Sequence, residues 1–179
     1  DAIRLMASKD GKSVNNWCRG IVGKNEFNEK ECLKKAEEAF KNIKLELDIN
    51  KALKGADLVI ESMTEDFKAK KDLYLEMAPL LDDKTIVVTN SSTMLPSKLA
   101  KYTGRPEKFL SLHFANSIWK NNTAEVMRHS KTEDKYFNEV MKFAENINMI
   151  ALPLQKEKSG YLLNSMLIPL LFSGLDLYV

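Results

Sequence analysis

Apolar and polar residues follow one another in a regular pattern along most of the chain, and this pattern predicts alternating helices and strands. From residue 29 onward, apolar side chains recur every three or four positions in three long segments, which is typical of amphipathic helices: 29–43, 67–81 and 132–147, the last with a capped start. Short apolar runs predict strands over 44–47, 57–62, 84–89, 108–114, 124–129 and 149–154. Shorter helices are expected over 49–55, which Gly55 closes, and from Pro96.

Strands that alternate with helices, without tight hairpin turns between them, indicate an α/β fold with a doubly wound, mostly parallel sheet. The most apolar segment, 161–179, contains Asn164, Pro169 and Asp176, and it predicts a helix that packs against protein. No uncharged run approaches the roughly 20 residues that a membrane helix needs. We therefore expect no association with a membrane.

The composition narrows the possible partners. Of the 179 residues, 44% are hydrophobic and 29% are charged, and the formal net charge is only +2. This balance is ordinary for a globular domain and offers no basic surplus for binding a nucleic acid. The two cysteines, Cys18 and Cys32, match no metal-binding spacing and are too few for a disulfide framework. We expect free thiols, no bound metal and a cytoplasmic location.

Polar side chains follow three of the predicted strands, at the point where each strand ends. Because ligands of parallel α/β sheets bind beyond the carboxyl ends of the strands, these residues form a candidate site: Glu61, Glu65, Asn90, Ser91, Ser92, His113 and Asn116. Each also has an ordinary structural explanation, since NSST is typical of a turn before a helix and Asn116 is a common turn residue. Their convergence at one edge of the sheet favours a functional site.

The two histidines receive different interpretations. His113 ends an apolar run, and Glu125 follows in the next predicted strand. Imidazole titrates near neutral pH, so His113 is a candidate general base that Glu125 steadies; a buried structural histidine is the alternative. His129 is predicted to be a solvated residue at a strand end, without a role. Trp119 is either a packing anchor or a cover for a ligand.

Four segments resemble the L-3-hydroxyacyl-CoA dehydrogenase family. ADLVIESMTEDFKAKKDLY resembles the family's ADLVIEAVPE and the lysine-rich helix that follows it, and TNSSTMLPSKLA resembles TNTSSLSI. HFANS, which begins at His113, resembles the HFFNP motif, with Glu125 at the family's spacing in the following strand. GYLLNSMLIPLL resembles GFIVNRLLMPYL. The resemblance runs in order from about residue 44 to the end of the chain.

This resemblance implies a reaction and roles for particular residues. The implied reaction is the NAD-dependent oxidation of a short-chain 3-hydroxyacyl-CoA, with His113 as the general base and Glu125 as the carboxylate that orients it. Ser92 and Asn164 resemble residues that hydrogen-bond near the reacting oxygen. The residues implied to line the nicotinamide and its ribose are Glu65, Lys70, Ser92 and Asn116. The implied partners are an acyl-CoA substrate and a second copy of the protein, in a homodimer formed through a helical domain.

The resemblance also implies a domain organisation. Residues 1–155 would form a Rossmann-like NAD-binding domain, and 156–179 would begin an all-α C-terminal domain. The glycines at 11, 20, 23, 55, 104, 160 and 174 do not supply the G-x-G-x-x-G loop that receives a pyrophosphate. CRGIVGKN contains a G-x-x-G, which is interpreted as a turn, with an RNA-binding clamp as a remote alternative. We expect the sheet to lack its first β-α-β unit and this chain alone to be inactive.

One departure from the family pattern leaves the substrate open. HFANS carries Ala115 and Ser117 where the family has phenylalanine and proline, so another 3-hydroxy acid or its derivative is an alternative substrate. A non-catalytic scaffold without a cofactor loop is a second alternative. The third is a hydrolase built on Ser92, His113 and Glu125. It is disfavoured because the chain has no G-x-S-x-G motif and the order Ser–His–Glu is not that of α/β-hydrolases.

Overall fold

The computed structural model describes residues 29–118 and 121–178. Its helices in these ranges are α1 (Glu29–Asn42), α2 (Ile49–Leu53), α3 (Phe67–Met77), α4 (Pro96–Leu99), α5 (Asp134–Asn146) and α6 (Leu163–Asp176). The strands are β1 (Leu58–Glu61), β2 (Ile86–Thr89), β3 (Phe109–Phe114), β4 (Thr123–Met127) and β5 (Ile150–Leu154). The interpretations of Cys18, of the G-x-x-G segment and of Trp119 lie outside the described residues.

The five strands form one sheet in the order β1-β2-β3-β4-β5. The pairs β1–β2, β2–β3 and β4–β5 are parallel, whereas β3 and β4 are antiparallel. The prediction of a Rossmann-like, mostly parallel sheet is therefore confirmed. The antiparallel pair places the start of β4 beside the end of β3, so that Glu125 lies directly opposite His113.

Helices cover both faces of the sheet. Successive side chains of a strand point to opposite faces of the sheet. Val88 and Leu110 lie on one face, where they pack against Phe137 and Val140 of α5. The opposite face receives residues of α2, α3 and α4 and contains Leu53, Tyr74, Met77, Val87, Leu99, Ala100 and Phe109. Each fully buried aliphatic or aromatic side chain stabilises the fold by about 1.5–3 kcal/mol. These two cores hold the sheet rigid beneath the loops at its edge.

The predicted strand over 44–47 is wrong. These residues adopt no regular structure, and Leu45 and Leu47 are 90% and 92% exposed. A strand needs a neighbour to pair its backbone groups. No strand of the described residues lies beside this segment.

The interpretation of His129 as a solvated residue is also wrong. Its side chain is buried, and its ring faces that of Phe109 at a centroid distance of 6.4 Å. The predicted cap of α5 is absent as well, because the hydroxyl of Thr132 donates to the carbonyl of Phe109 instead. Both errors concern the same corner of the sheet, where the chain turns inward after β4.

The helix predicted near the C-terminus is confirmed as α6, but the packing predicted for it is not seen within the described residues. None of its residues is buried, and Leu170, Phe172 and Leu175 are more than half exposed. None of the helices in the described ranges is long and apolar enough to span a membrane. An exposed apolar surface of this kind marks an interaction site.

Candidate functional site

His113 and Glu125 form a buried pair at the edge of the sheet. Nδ1 of His113 lies 2.8 Å from Oε2 of Glu125, because the two residues are directly opposite each other on β3 and β4. The imidazole is almost entirely buried, and the carboxylate is completely so. The interaction between them is therefore little screened by water.

The second oxygen of Glu125 binds the start of α6. The backbone amides of Leu162 and Leu163 donate to Oε1 over 2.7 Å and 2.8 Å. These amides have no partner inside the helix, and the helix dipole favours a negative charge at this end. Glu125 thus accepts hydrogen bonds at both oxygens, and a carboxylate suits this environment.

The hydrogen bond to Glu125 selects one tautomer of His113. Since Glu125 accepts, Nδ1 of the imidazole carries the proton and Nε2 keeps its lone pair. Among the described residues, no hydrogen bond engages Nε2 of His113. This nitrogen is therefore available to take a proton from a ligand.

Glu65 shapes the loop that follows β2. Its Oε1 accepts hydrogen bonds from the hydroxyl groups of Ser91 and Thr93 and from the backbone amides of Ser92 and Thr93. Burial opposes ionisation of Glu65, but the bonds from Ser91 and Thr93 and the charge of Lys70 outweigh it, so its pKa lies below the usual range. Glu65 is the residue that holds the Ser92 loop in place.

Lys70 lies beneath this loop and is only 1% exposed. Its Nζ atom lies 2.7 Å from Oε1 of Glu61, 3.3 Å from the carbonyl oxygen of Met63 and 3.5 Å from Oε2 of Glu65. Glu61 also accepts from Tyr74. Removing one partner of such a buried ion pair costs about 3–5 kcal/mol. Lys70 therefore supports the loops after β1 and β2 from within the protein.

Ser92 and Asn164 meet where the loop after β2 approaches the start of α6. The side-chain amide of Asn164 donates to the carbonyl oxygen of Ser92 over 3.4 Å. This contact uses the backbone of Ser92, and no hydrogen bond within the described part of the chain engages its hydroxyl. The hydroxyl of Ser92 is thus free to bind a ligand beside Asn164.

Asn116 lies in the exposed loop after β3. Its carbonyl oxygen accepts a hydrogen bond from the side chain of Asn121, while its own amide is available. The next residue, Ser117, has φ 57°, which a proline ring cannot adopt. The family motif has proline where this chain has Ser117. A proline could not adopt the loop conformation seen here.

Tyr161 belongs to the site but was not predicted. Its ring lies against the imidazole of His113, with the centroids 5.0 Å apart, and its hydroxyl is 2.9 Å from Oγ of Ser111. One signal was present in the sequence, because Ser111 and His113 are polar residues two positions apart in an otherwise apolar strand. Such a pair points to one face of the sheet and needs polar or aromatic partners there.

Comparison with known proteins identifies the family of the chain. Residues 7–157 match the family described as "3-hydroxyacyl-CoA dehydrogenase, NAD binding domain". The chain belongs to this family. The predicted recognition of the family and of NAD as its cofactor is confirmed.

Curated proteins from several organisms are similar to this chain. The chain is 31% identical over 126 residues to the 3-hydroxybutyryl-CoA dehydrogenase of Clostridioides difficile, covering 70% of this chain and 44% of that protein. It is 26% identical over 142 residues to the human mitochondrial hydroxyacyl-coenzyme A dehydrogenase, covering 79% of this chain and 45% of that protein. The chain thus spans less than half the length of these relatives.

Solved structures show the same fold. A diketoreductase that carries out substrate-directed dual catalysis of dicarbonyl compounds has a TM-score of 0.82 and 42% sequence identity, over 99% of this chain and 59% of that one. FadB2 of M. tuberculosis has a TM-score of 0.75 and 25% identity, over 88% of this chain and 53% of that one.

The described residues of the dehydrogenase domain suit the nicotinamide half of NAD in their chemistry. The ribose hydroxyls and the carboxamide need hydrogen-bond acceptors and donors, and Glu65 and Asn116 present exposed polar atoms at the same edge of the sheet. Lys70 is buried and does not face this region directly. Its ammonium group contacts Glu65, which does.

Proposed function

We propose that this protein oxidises the 3-hydroxyl group of a short-chain L-3-hydroxyacyl-CoA to the 3-oxoacyl-CoA with NAD, and catalyses the reverse reaction. The observation that carries the proposal is the buried His113–Glu125 pair, with Nε2 of His113 unengaged at the sheet edge. The family match and the hydroxyacyl-CoA dehydrogenases among the relatives support it.

In the oxidation, Nε2 of His113 accepts the proton of the 3-hydroxyl group as the carbon–oxygen bond becomes a carbonyl. NAD, when bound, supplies the acceptor for the hydride that leaves C3. Glu125 keeps the ring in the required tautomer and stabilises the imidazolium that forms, as a carboxylate does in other histidine–acid pairs. In the reduction, the same imidazolium returns its proton to the oxygen.

The other site residues bind and orient in this proposal. The hydroxyl of Ser92 and the amide of Asn164 bind the reacting oxygen, because both lie where the β2 loop meets α6. Glu65, Ser92 and Asn116 bind the nicotinamide side of the cofactor. Lys70 contributes through Glu65, whose position it helps to fix.

A second candidate is reduction of a dicarbonyl compound or oxidation of another 3-hydroxy acid without CoA. Two observations favour it: the 42% identity to a diketoreductase over nearly the whole chain, and the Ser117 loop, which departs from the family motif. The chemistry at His113 would be unchanged. Only the groups that recognise the rest of the substrate would differ.

Steady-state kinetics on the full-length protein tests these two proposals together. Acetoacetyl-CoA and a diketo ester of similar chain length are each reduced with NADH, and the two values of kcat/KM are compared. A preference for acetoacetyl-CoA of at least about tenfold, or about 1.4 kcal/mol, supports the acyl-CoA proposal. A preference for the diketo ester supports the second candidate, and the absence of any NADH oxidation contradicts both.

The proposal includes an assembly. Residues 156–179 would begin the all-α domain through which two copies associate as a homodimer. The exposed apolar side chains of α6 support this, since they need a protein surface to cover them. The cytoplasmic location and a role in fatty-acid breakdown remain predictions of the same proposal.

A further inference from the structure

The ring of Tyr161 packs against the imidazole of His113. The two ring planes are inclined by 42°, and the tyrosine side chain is completely buried. Its hydroxyl lies within hydrogen-bond distance of Oγ of Ser111 and, at 3.2 Å, of the carbonyl oxygen of Met94. Ser111 and His113 project from the same face of β3. Tyr161 is therefore attached to the strand that carries the base.

The backbone at this point directs Tyr161 inward. Gly160 and Tyr161 have φ values of 78° and 55°, and the second is unfavourable for a residue with a side chain. The buried ring and its hydroxyl contacts offset this cost. The same turn lets the amides of Leu162 and Leu163 reach Glu125. The start of α6 thus contacts both members of the His113–Glu125 pair.

We propose that Tyr161 is a positioning residue for His113. A single hydrogen bond from Nδ1 to Glu125 does not by itself fix the rotation of the imidazole about its Cα–Cβ and Cβ–Cγ bonds. Contact with the face of a fixed aromatic ring restricts this rotation, so that Nε2 points towards the substrate. Tyr161 therefore makes the orientation of the base depend on the docking of α6. This inference rests on the proposed role of His113 as the general base.

The test compares Tyr161→Leu with Tyr161→Phe in the full-length protein. Misplacing a catalytic group by about 1 Å can cost a hundredfold in rate, so Tyr161→Leu should lower kcat by about 10- to 100-fold. The KM for NADH should change less than about twofold, since the side chain of Tyr161 contacts Met94, Ser111 and His113 and none of the residues proposed to bind the cofactor. Tyr161→Phe keeps the ring and should retain kcat within about threefold. Phe137→Leu, a matched truncation on the opposite face of the sheet, should leave kcat unchanged.

A spectroscopic readout tests the inference independently of activity. The 179 residues contain two histidines, so the ¹⁵N signals of the His113 ring, assigned by substitution, are followed and those of the His129 ring serve as an internal control. In Tyr161→Leu the signals of His113 should shift or broaden, because the ring adopts more than one orientation, whereas those of His129 should not. If wild-type protein has no dehydrogenase activity, the proposed function fails, while these spectra still test the positioning role.

Three results would overturn the proposal. One is a kcat for Tyr161→Leu within threefold of wild type together with unchanged His113 signals. Another is an equal loss of kcat in Tyr161→Phe, which would assign the effect to the hydroxyl. The third is the absence of nuclear Overhauser contacts between the two rings in the wild-type protein.

Tyr161→Met, which fills more of the space, replaces the leucine variant if that variant does not fold.

Discussion

The two histidines of the chain lie at different ends of the sheet, and the comparison between them shows what makes one available for chemistry. His113 is bound at Nδ1 by Glu125, and no hydrogen bond within the described residues engages its Nε2. His129 is bound at both nitrogens by the backbone, since Nε2 donates to the carbonyl of Pro106 over 3.0 Å and Nδ1 accepts from the amide of Lys131 over 3.3 Å. Both side chains are buried.

Burial therefore does not separate a candidate base from a structural histidine, whereas the hydrogen-bond partners do. The carboxylate beside His113 accepts from Nδ1 and leaves Nε2 with its lone pair. The two backbone groups around His129 match only the neutral ring, and burial lowers its pKa, despite the opposing charge of Glu157. The first environment suits proton transfer, and the second suits a fixed contact between β3 and the turn after β4.

The test with the largest expected effect replaces each of the two histidines in turn. His113→Ala in the full-length protein should lower kcat by about 10²- to 10⁴-fold, which is the usual contribution of a general base. The dissociation constant for NADH, measured by fluorescence, should stay nearly the same. His129→Gln is the matched control and should keep kcat near the wild-type value. A loss below tenfold in His113→Ala would contradict the assignment of the base.

The second test removes the charge that orients His113. Glu125→Gln should lower kcat by about 10- to 100-fold, because glutamine has one acceptor oxygen and cannot accept from both the ring of His113 and the amides of α6. The variant should also be less stable by about 1–2 kcal/mol in urea unfolding, since the amides at the start of α6 lose a charged partner. Glu133→Gln is the control, because Glu133 precedes α5 without a side-chain capping bond. Equal effects in both variants would remove Glu125 from the mechanism.

The third test concerns stability at the His129 end. The folded-state pKa of His129 lies below its ordinary value of 6.5, so protonation favours the unfolded chain. The neutral His129 ring should contribute fully to stability above pH 6.5, and this contribution should be lost as the pH falls towards the folded-state pKa. The free energy of unfolding should fall by no more than about 1.4 kcal/mol per pH unit. Urea unfolding between pH 5 and pH 8, in wild type and in His129→Gln, measures this. An identical pH slope in the two proteins would contradict the prediction.

The smallest expected effect lies at the Ser92 loop. The folded-state pKa of Glu65 lies below its ordinary value of 4.5, so its carboxylate stabilises the fold above that pH and loses this effect as the pH falls further. The side chain is 37% exposed, so water screens the interaction and we expect less than about 1 kcal/mol. Glu65→Gln should flatten the stability curve below pH 5. A curve parallel to that of wild type would show that the hydrogen bonds, and not the charge, hold the loop.

Much of the fold could be predicted because its signals are local. Apolar spacing located α1, α3, α5 and most of the strands, and the polar residues after β1, β2 and β3 marked the edge where the site lies. The same spacing failed at 44–47, where a short apolar run has no strand beside it within the described residues. A run of four residues carries the propensity of a strand but not the neighbour that completes one.

The sequence by itself determined the family, the order of the elements and the identities of His113, Glu125, Ser92 and Asn164 as candidates. Only the tertiary structure decided how they meet. His113 and Glu125 are 12 residues apart and pair because β3 and β4 run antiparallel, and Tyr161 reaches Ser111 across 50 residues. Hydrogen-bond partners and burial depend on such distant contacts, and a local pattern of residues contains no record of them. For the same reason the local sequence predicts a solvated His129, whereas the fold buries it.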